Sequence, residues 1–410
     1  MNTIGSLKAK RSLDLSNYRS GSLNISSDAA DFQRTLEKAH ADKQRLRCLC
    51  VEAQPEMYVA KLDQYVLKRM PGTGHLHDPG CKSFDPPPEI SGLGQVNGKA
   101  IVTDEQGETR LNLDFPLSMR SKRAAPVADT TNTATSAIAP PQRLSLLALL
   151  HYLWDEAELT KWRPGFRGKR GWWRVHNELM EVAQRASTKA GQLAGTLFVP
   201  PPFTVEKKDE LAAARRKFMH PLHPVKGKPI PLGLIVAEYK SDEPTQYGRR
   251  IRFKHLPDFA FFMDGPLCAR FDKLHGEKIQ TVEAVEGSHL IMIATFNLNG
   301  NYAEIREIAA MPVTADWLPF DSDRELRLIE ALIERPFSKS LKYNLAEGAP
   351  VANALLVDTE PPTALFCGVE GGGSAYDEEL QEIADQGVFP AWVWRSSEAQ
   401  LPDLPQPASR

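Results

Sequence analysis

Three of the five cysteines of this 410-residue chain lie between positions 48 and 81, and two histidines stand beside the third. Cys48 and Cys50 are separated by one leucine, and Cys81 follows His77 by four positions. Thiolate sulfur and imidazole nitrogen are the ligands that proteins use for tetrahedral zinc. A Cys-x-Cys pair followed by a His-x-x-x-Cys pair therefore predicts a zinc site whose ligands are Cys48, Cys50, His77 and Cys81.

Two kinds of local structure are expected to present these ligands. Residues 47–52 have the apolar character of a strand, and alternation along a strand would point Cys48 and Cys50 to the same side. The segment from His77 to Cys81 contains Asp-Pro-Gly and is expected to turn. Because four protein ligands leave no open position for water or substrate, we interpret the ion as structural and not catalytic.

Alternatives to this ligand set remain open from the sequence. His75 lies two positions before His77 and is the alternative nitrogen ligand. The cysteines could instead be small buried hydrophobic residues. A disulfide is disfavoured because cytosolic thiols stay reduced. The cytoplasm is the expected location, since no stretch approaches the ~20 apolar residues of a membrane helix and the N-terminus lacks the apolar core of a signal peptide.

The composition is that of a globular protein, with 42% hydrophobic and 25% charged residues, and it gives no indication of a membrane partner. The net charge of -2 conceals an asymmetry. Residues 141–218 carry 14 basic and 8 acidic side chains, whereas residues 320–410 carry 7 basic and 16 acidic ones. A basic middle and an acidic end indicate a polyanion partner, a protein partner, or docking of one segment on the other.

The pattern along the chain predicts a multidomain α+β protein. Strands are expected within the later part at 230–239, 249–254, 289–296 and 302–311, with a short helix near 266–273. The predicted segments are a disordered tail (1–27), a small α+β module that zinc holds together (28–118), an Ala/Thr/Ser/Pro linker (119–142), a basic helical region (143–218), one or more α+β domains (219–395) and a second disordered tail (396–410).

Basic and aromatic side chains alternate between positions 161 and 174, where the sequence has no acidic residue. Basic groups contact phosphates, and aromatic faces stack on unpaired bases. The stretch therefore predicts a surface that binds DNA or RNA. The alternative is that its tryptophans belong to a core and its charges to a solvated loop. The six basic residues are Lys161, Arg163, Arg167, Lys169, Arg170 and Arg174.

After residue 320 the predicted order is helix, three strands, helix, strand. This order resembles the core of restriction-endonuclease-like nucleases, which hold a divalent metal through an acid on the second strand and Glu-x-Lys on the third. Here the second strand ends in Asp358, but the third, residues 364–368, has neither carboxylate nor lysine. If this region has the nuclease fold, we expect it to be degenerate and inactive. The sequence favours the other interpretation, an ordinary α+β domain. A divergent nuclease would have to use Asp358 with Glu330.

Several motifs together indicate a family. They are residues 47–50 (Arg-Cys-Leu-Cys), 68–74 (Lys-Arg-Met-Pro-Gly-Thr-Gly), His77, Cys81 and 91–96 (Ser-Gly-Leu-Gly-Gln-Val), with looser likeness at 150–154, 168–170, 254–258 and 351–359. These motifs resemble a bacterial family marked by three N-terminal cysteines, the domain-of-unknown-function family 1173 (DUF1173). Its members are typically carried on plasmids and integrative conjugative elements, so the resemblance implies a role near mobile DNA and supplies no mechanism.

The function expected from the sequence is that of a non-enzymatic zinc-binding protein of a mobile genetic element, acting as a nucleic-acid-binding or assembly factor. Two other classes remain. One is a divergent or inactive metal-dependent nuclease. The other is a protein-interaction scaffold whose acidic C-terminal part docks on a basic partner.

Overall fold

Strands and helices are both abundant in the computed structural model of the protein, which confirms the predicted α+β class. The structure describes residues 17–62, 64–104, 106–119, 142–345, 349–369 and 371–408. Two compact units, Met1–Pro86 and Pro87–Arg410, divide the chain. Within the described residues, no helix combines the length and the apolar character needed to cross a bilayer.

The first unit is an antiparallel sheet of five strands with one helix packed on it, in the order β2-β1-β3-β4-β5. Leu36 and Ala39 form the buried stripe of the helix, and they pack against Leu46 and Met57 of the sheet. The elements are β1 (Asn17–Ser20), β2 (Leu23–Ser26), α1 (Phe32–Ala41), β3 (Leu46–Cys48), β4 (Glu56–Lys61), β5 (Tyr65–Arg69) and a 3₁₀ turn (Gly74–Leu76).

The predicted N-terminal tail is wrong for residues 17–26, which form the β1–β2 hairpin. Their Ser/Asn-rich composition is typical of disorder, but Tyr18 is 6% exposed and stacks on Phe32 with 6.0 Å between ring centroids. Burial of one aromatic side chain is sufficient to distinguish an edge hairpin from a polar tail. Residues 1–16 of the predicted tail lie outside the described residues.

The second unit begins with short elements and three longer helices. They are a 3₁₀ turn (Pro88–Ile90), α2 (Leu93–Val96), β6 (Ile101–Thr103), β7 (Thr109–Leu111), β8 (Ser118–Met119), α3 (Leu146–Glu156), β9 (Lys161–Trp162), a 3₁₀ turn (Pro164–Phe166), α4 (Trp172–Arg185), β10 (Ala186–Thr188), β11 (Gly191–Gln192), a 3₁₀ turn (Leu193–Gly195), β12 (Leu197–Phe198), α5 (Lys208–Met219), a 3₁₀ turn (His220–Leu222) and β13 (Ile230–Pro231). Ser145 caps α3, since its Oγ accepts a hydrogen bond from the amide of Ala148 at 3.2 Å.

The boundary predicted near residue 118 differs from the one observed at residue 86. The predicted zinc module, residues 28–118, includes the β6–β7 hairpin. In the structure, β7 pairs in parallel with β10 of the second unit, with Thr109 opposite Ala186. A hairpin is recognisable from local sequence, whereas the strand that joins its outer edge is not. The predicted linker, 119–142, lies almost entirely outside the described residues.

Five strands of the second unit form a closed ring of pairings, in the order β14-β15-β16-β18-β17 and back to β14. The β16–β18 pair is parallel and the other pairs are antiparallel. The helix α6 follows β16 and packs its buried Leu267 and Phe271 against the interior of the ring. The elements are β14 (Gly233–Thr245), β15 (Gly248–Phe253), β16 (Phe261–Asp264), α6 (Gly265–Ala284), β17 (His289–Asn299) and β18 (Tyr302–Val313).

A second five-stranded sheet lies in the C-terminal part of the chain and has the order β22-β21-β20-β19-β9. Glu325 lies beneath it, where it pairs with Lys339 at 2.9 Å and accepts a hydrogen bond from Asn353 at 2.7 Å. All three side chains are buried, and their mutual contacts satisfy them. The elements are α7 (Asp323–Ala331), β19 (Phe337–Lys339), β20 (Ala354–Leu356), β21 (Thr363–Cys367), α8 (Gly373–Asp385) and β22 (Ala391–Trp394).

The predicted C-terminal tail is wrong for residues 396–408. They have no regular secondary structure, but Leu401 and Leu404 pack against the core of the second sheet. The indole nitrogen of Trp392 donates to the carbonyl oxygen of Asp403 at 2.9 Å. The amide of Ala408 donates to the carbonyl oxygen of Asp358 at 2.8 Å. Proline-rich composition therefore marks an irregular segment here and not an unattached one.

Gly92 provides a test of packing within the second unit. Its amide donates to the carbonyl oxygen of Leu341, and a Cβ at this position would lie 1.9 Å from the carbonyl oxygen of Lys342. Gly92→Ala must displace backbone, so we expect a loss of about 2–4 kcal/mol in the free energy of unfolding, measured by urea titration. Gly165→Ala, where a Cβ meets nothing within 4 Å, is the control. Equal stability of the two variants would contradict this close approach.

Candidate metal centre

The end of β3 and the turn after it supply the first two sulfurs. Cys48 is the last residue of β3, and its amide donates to the carbonyl oxygen of Pro55 at 2.8 Å. Cys50 lies beyond the strand, in a turn that continues to Gln54, whose φ is 51°. The predicted strand 47–52 is therefore wrong after Cys48, because the chain bends where the second sulfur is presented.

The segment after β5 supplies the other two ligands. His77 directly follows the 3₁₀ turn, and its amide donates to the carbonyl oxygen of Gly74 at 3.2 Å. Asp78 then forms a turn of its own, since its Oδ1 accepts from the amide of Gly80 at 2.9 Å. Its carbonyl oxygen accepts from the amide of Cys81 at 2.8 Å. As expected from Asp-Pro-Gly, the chain reverses between the nitrogen ligand and the third sulfur.

The structure brings the four predicted ligand atoms together. One ligand atom from each of Cys48, Cys50, His77 and Cys81 lies within 4.8 Å of every other. The Sγ atoms of Cys48 and Cys81 are 3.7 Å apart, and Nδ1 of His77 is 3.4 Å from Sγ of Cys50 and 3.8 Å from Sγ of Cys81. A tetrahedron around zinc has edges of about 3.8 Å between sulfurs and about 3.6 Å between sulfur and nitrogen.

These separations also distinguish the site from a disulfide and identify which histidine faces it. A sulfur–sulfur bond is about 2.05 Å long, so the 3.7 Å between Cys48 and Cys81 corresponds to free thiols. His77 is 3% exposed and turns Nδ1 toward the sulfurs, whereas His75 is exposed in the 3₁₀ turn. The alternative that the sequence left open, His75, is therefore not part of the cluster.

Backbone amides support negative charge on the sulfurs. The amide of Asp78 donates to Sγ of Cys50 at 3.5 Å, and the amide of Ser83 donates to Sγ of Cys81 at 3.4 Å. Hydrogen bonds with Cys50 and Cys81 raise the pKa of the Cys48 thiol, whereas hydrogen bonds with Cys48 and Cys50 lower the pKa of Cys81. A dication would favour all three thiolates at once. Sequence patterns did not identify the two amide donors, although Asp-Pro-Gly placed the turn that presents one of them.

The basic side chains between positions 161 and 174 are mostly engaged within the protein. Three of them pair with carboxylates: Lys161 with Glu158, Arg167 with Glu334 and Arg174 with Glu178. Arg163 is half-buried, and Lys169 is exposed. The acidic partners are absent from the stretch itself but come from α4 and from the segments that follow α3 and α7. The local excess of basic residues in the sequence therefore does not translate into an equal excess of free charge.

Arg170 illustrates the structural use of this stretch. Its guanidinium donates to the carbonyl oxygens of Leu159, at 2.9 Å, and Lys161. It also lies over the rings of Trp162 and Phe166, 5.6 and 5.0 Å from their centroids. Burial lowers the pKa of Arg170 to about 10. Among the aromatic side chains of the stretch, Trp162 and Trp172 are buried, and Phe166 and Trp173 are exposed.

The acids of the alternative nuclease are placed differently from a metal site. Both carboxylate oxygens of Asp358 accept hydrogen bonds from Arg335, at 2.8 and 2.9 Å. Glu330 is exposed on α7. Across the described ranges, the one group of histidine, cysteine and acidic residues that converges closely enough to hold an ion is the cluster in the first unit.

Comparison with known proteins gives one match. The family model described as "Protein of unknown function (DUF1173)" matches residues 18–397 and so covers most of the chain. Neither the curated proteins nor the solved structures give a match.

The two histidines give a direct test of which nitrogen is a ligand. We expect His77→Ala to lower zinc affinity by more than the roughly 10- to 100-fold that loss of an outer-shell partner costs, because it removes a ligand itself. His75→Ala, at an exposed position two residues away, should leave the affinity unchanged. Competition against a chromophoric chelator measures both. Equal losses in the two variants, or a larger loss with His75→Ala, would contradict the assignment.

Proposed function

The chain belongs to the DUF1173 family, and we propose that it is a non-enzymatic zinc-binding protein that serves a mobile genetic element as a nucleic-acid-binding or assembly factor. The observation that carries the zinc assignment is the convergence of Cys48, Cys50, His77 and Cys81 within 4.8 Å. The family likeness supports the mobile-element part, and it assigns no activity.

The donor set favours zinc over the other common metals. Three thiolates and one imidazole are soft and borderline ligands that suit zinc in tetrahedral geometry, whereas magnesium and calcium select oxygen. Cys48 and His77 are buried, and Cys50 and Cys81 are half-buried. Four protein ligands complete the coordination of the ion, so its role is to hold β3 and the turn after the 3₁₀ helix in one position.

The size of the first unit supports a structural role for the ion. Its main cluster of buried hydrophobic side chains is small and consists of Tyr18, Leu36, Ala39, Leu46, Cys48, Met57 and Val59. A small domain buries a smaller fraction of its surface on folding than a large one, so a bound metal contributes a larger share of its stability. Zinc here would connect two loops that the antiparallel sheet alone does not fix.

The competing functions are each supported by less. A divergent nuclease would require Asp358 to exchange its bidentate contact with Arg335 for a metal ion. A carboxylate already paired with a guanidinium is a poor candidate for that exchange. A scaffold would use the acidic C-terminal residues, and co-purification of a basic partner would favour it. Cleavage of DNA with magnesium or manganese that stops with Asp358→Ala would favour the nuclease.

Elemental analysis of the purified protein tests the zinc site. We expect one zinc per chain in the wild type and its loss in Cys48→Ser, because a hydroxyl is a much weaker zinc ligand than a thiolate. The matched control is Cys268→Ser, which removes a buried thiol outside the cluster and should keep the zinc. Hydrogen exchange should then report loss of protection within residues 17–86 of Cys48→Ser only. Zinc-free wild-type protein with an unchanged, cooperative first unit would refute the proposal.

A further inference from the structure

The ring of five strands in the second unit has a distinctive connectivity. Its first strand, β14, pairs with β17 over residues Gly233–Glu238 and with β15 over residues Tyr239–Thr245. This one long strand therefore closes the ring. A bulge between Tyr239 and Ser241 accompanies the change of partner, and bulges increase the local bend and twist of a strand. Numbered from β14, the ring runs first, second, third, fifth, fourth and back to first.

This connectivity, with a helix between the third and fourth strands, is that of the five-stranded Greek-key barrel called the OB-fold. Barrels of this kind bind oligonucleotides or oligosaccharides on the face of their second and third strands, between the loops that follow the first and the fourth. The corresponding elements here are β15 and β16, the turn around Tyr247 and the turn around Gly300. Fold alone does not establish function. Whether this face binds such a ligand depends on the side chains that it presents.

Within the described part of the second unit, this face of the barrel is part-exposed and another face is covered. Val236, Ile291 and Ile293 project from β14 and β17 into a core shared with α3 and α4, and each is fully buried. Ile251 of β15 and Phe261 of β16 point inward and are also buried. Their neighbours in sequence point outward by strand alternation and are part-exposed. The accessible outer surface therefore lies over β15, β16 and the start of β18.

The outward side chains combine basic and aromatic groups in contact with one another. Arg250 lies 5.8 Å from the ring centroid of Phe262, which is its direct cross-strand neighbour. Phe262 in turn meets Tyr302 edge to face, with 5.1 Å between centroids. Arg252 follows Arg250 on the same side of β15, and Tyr247 at the turn is 78% exposed. This row spans three strands and ends at both turns.

The charge of the row is net positive. Arg250 and Arg252 share one carboxylate, that of Glu243 on the adjacent strand, at 3.2 and 2.8 Å. The side chains of both arginines are more than a third exposed. One positive charge is therefore left without a matching carboxylate, because Glu304, the cross-strand neighbour of Phe262, is already paired with Arg306. Tyr247 and Tyr302 in the same row are 78% and 36% exposed. Phosphates with unpaired bases match this combination, because guanidinium groups contact phosphates and each base can stack on an aromatic ring.

We propose that the face formed by Tyr247, Arg250, Arg252, Phe262 and Tyr302 binds single-stranded nucleic acid. The bases lie against Tyr247, Phe262 and Tyr302, and the backbone follows the two arginines. This inference rests on the nucleic-acid part of the proposed function and assigns it a surface other than residues 161–174. It does not depend on the zinc site.

Fluorescence anisotropy of the full-length protein tests the assignment. The probe is a fluorescein-labelled single strand of about 15 nucleotides, the upper end of the range for one such barrel, prepared as thymidine DNA, uridine RNA and a DNA duplex. The variants are Tyr247→Ala, Tyr302→Ala and the double variant Arg250→Ala/Arg252→Ala. Tyr247→Ala is the variant least able to disturb folding, because its side chain is largely exposed. The matched control, Arg167→Ala/Lys169→Ala, removes two basic groups from the exposed part of the other stretch.

Each barrel variant is expected to weaken single-strand binding at least about tenfold, the lower part of the range for one stacked base. The arginine double variant should also reduce the salt dependence of binding, since about 0.7 counterions are released per phosphate contact. The control should bind as the wild type does. Binding that is lost only in Arg167→Ala/Lys169→Ala would overturn the barrel assignment and leave the proposed nucleic-acid function standing. Preference for the duplex would also overturn the barrel assignment. If the wild type bound none of the probes, both the barrel assignment and the nucleic-acid part of the proposed function would be overturned. The zinc measurement would then decide the zinc-binding part of that function.

Discussion

The close approach of three sulfurs is the constraint that sets the candidate metal centre of the first unit apart. Three thiols and one imidazole face each other within 4.8 Å, and three thiolates at such distances cannot ionise together without a cation. The neighbouring cysteines raise the pKa of Cys48 and lower that of Cys81, so the protons are unevenly held in this geometry. A bound dication would remove this conflict, since it would make every thiolate favourable and would connect two loops of a sheet with a small core.

In the second unit, strands that are far apart in sequence pair with each other and close a sheet into a ring. β14 reaches β17 across more than forty residues, and the parallel pair β16–β18 can form only after α6 has been crossed. Closure leaves the barrel without long free edges. Helices α3 and α4 cover one side, so the side over β15 and β16 keeps its outward arginines and aromatics accessible.

Sequence patterns predicted the Cys/His cluster and the local secondary structure better than they predicted which strands pair with each other. Cysteine and histidine spacing selected the four residues that converge, and the sequence pattern predicted four of the five barrel strands. Three of them lie near their predicted bounds, whereas the first, expected at 230–239, runs from Gly233 to Thr245. The strand β16, four residues with two adjacent phenylalanines, has too short an alternation to be recognised. Pairing of β7 with β10, and of β9 with β19, joins segments that the sequence had assigned to separate domains. Local periodicity carries no information about which distant edge a strand will meet.

The basic residues show why charge in a sequence and charge at a surface are different quantities. Arg170 has no acidic neighbour within seven positions along the chain, yet carbonyl oxygens and two aromatic rings enclose its guanidinium. Arg250 and Arg252 likewise have no acidic residue within five positions along the chain, and the strand register gives them one carboxylate, that of Glu243, between them. A stretch rich in basic residues can therefore be structural, while a mixed-charge hairpin presents the accessible cations. The arrangement of partners, and not the number of basic residues, decides which surface is able to meet a phosphate backbone.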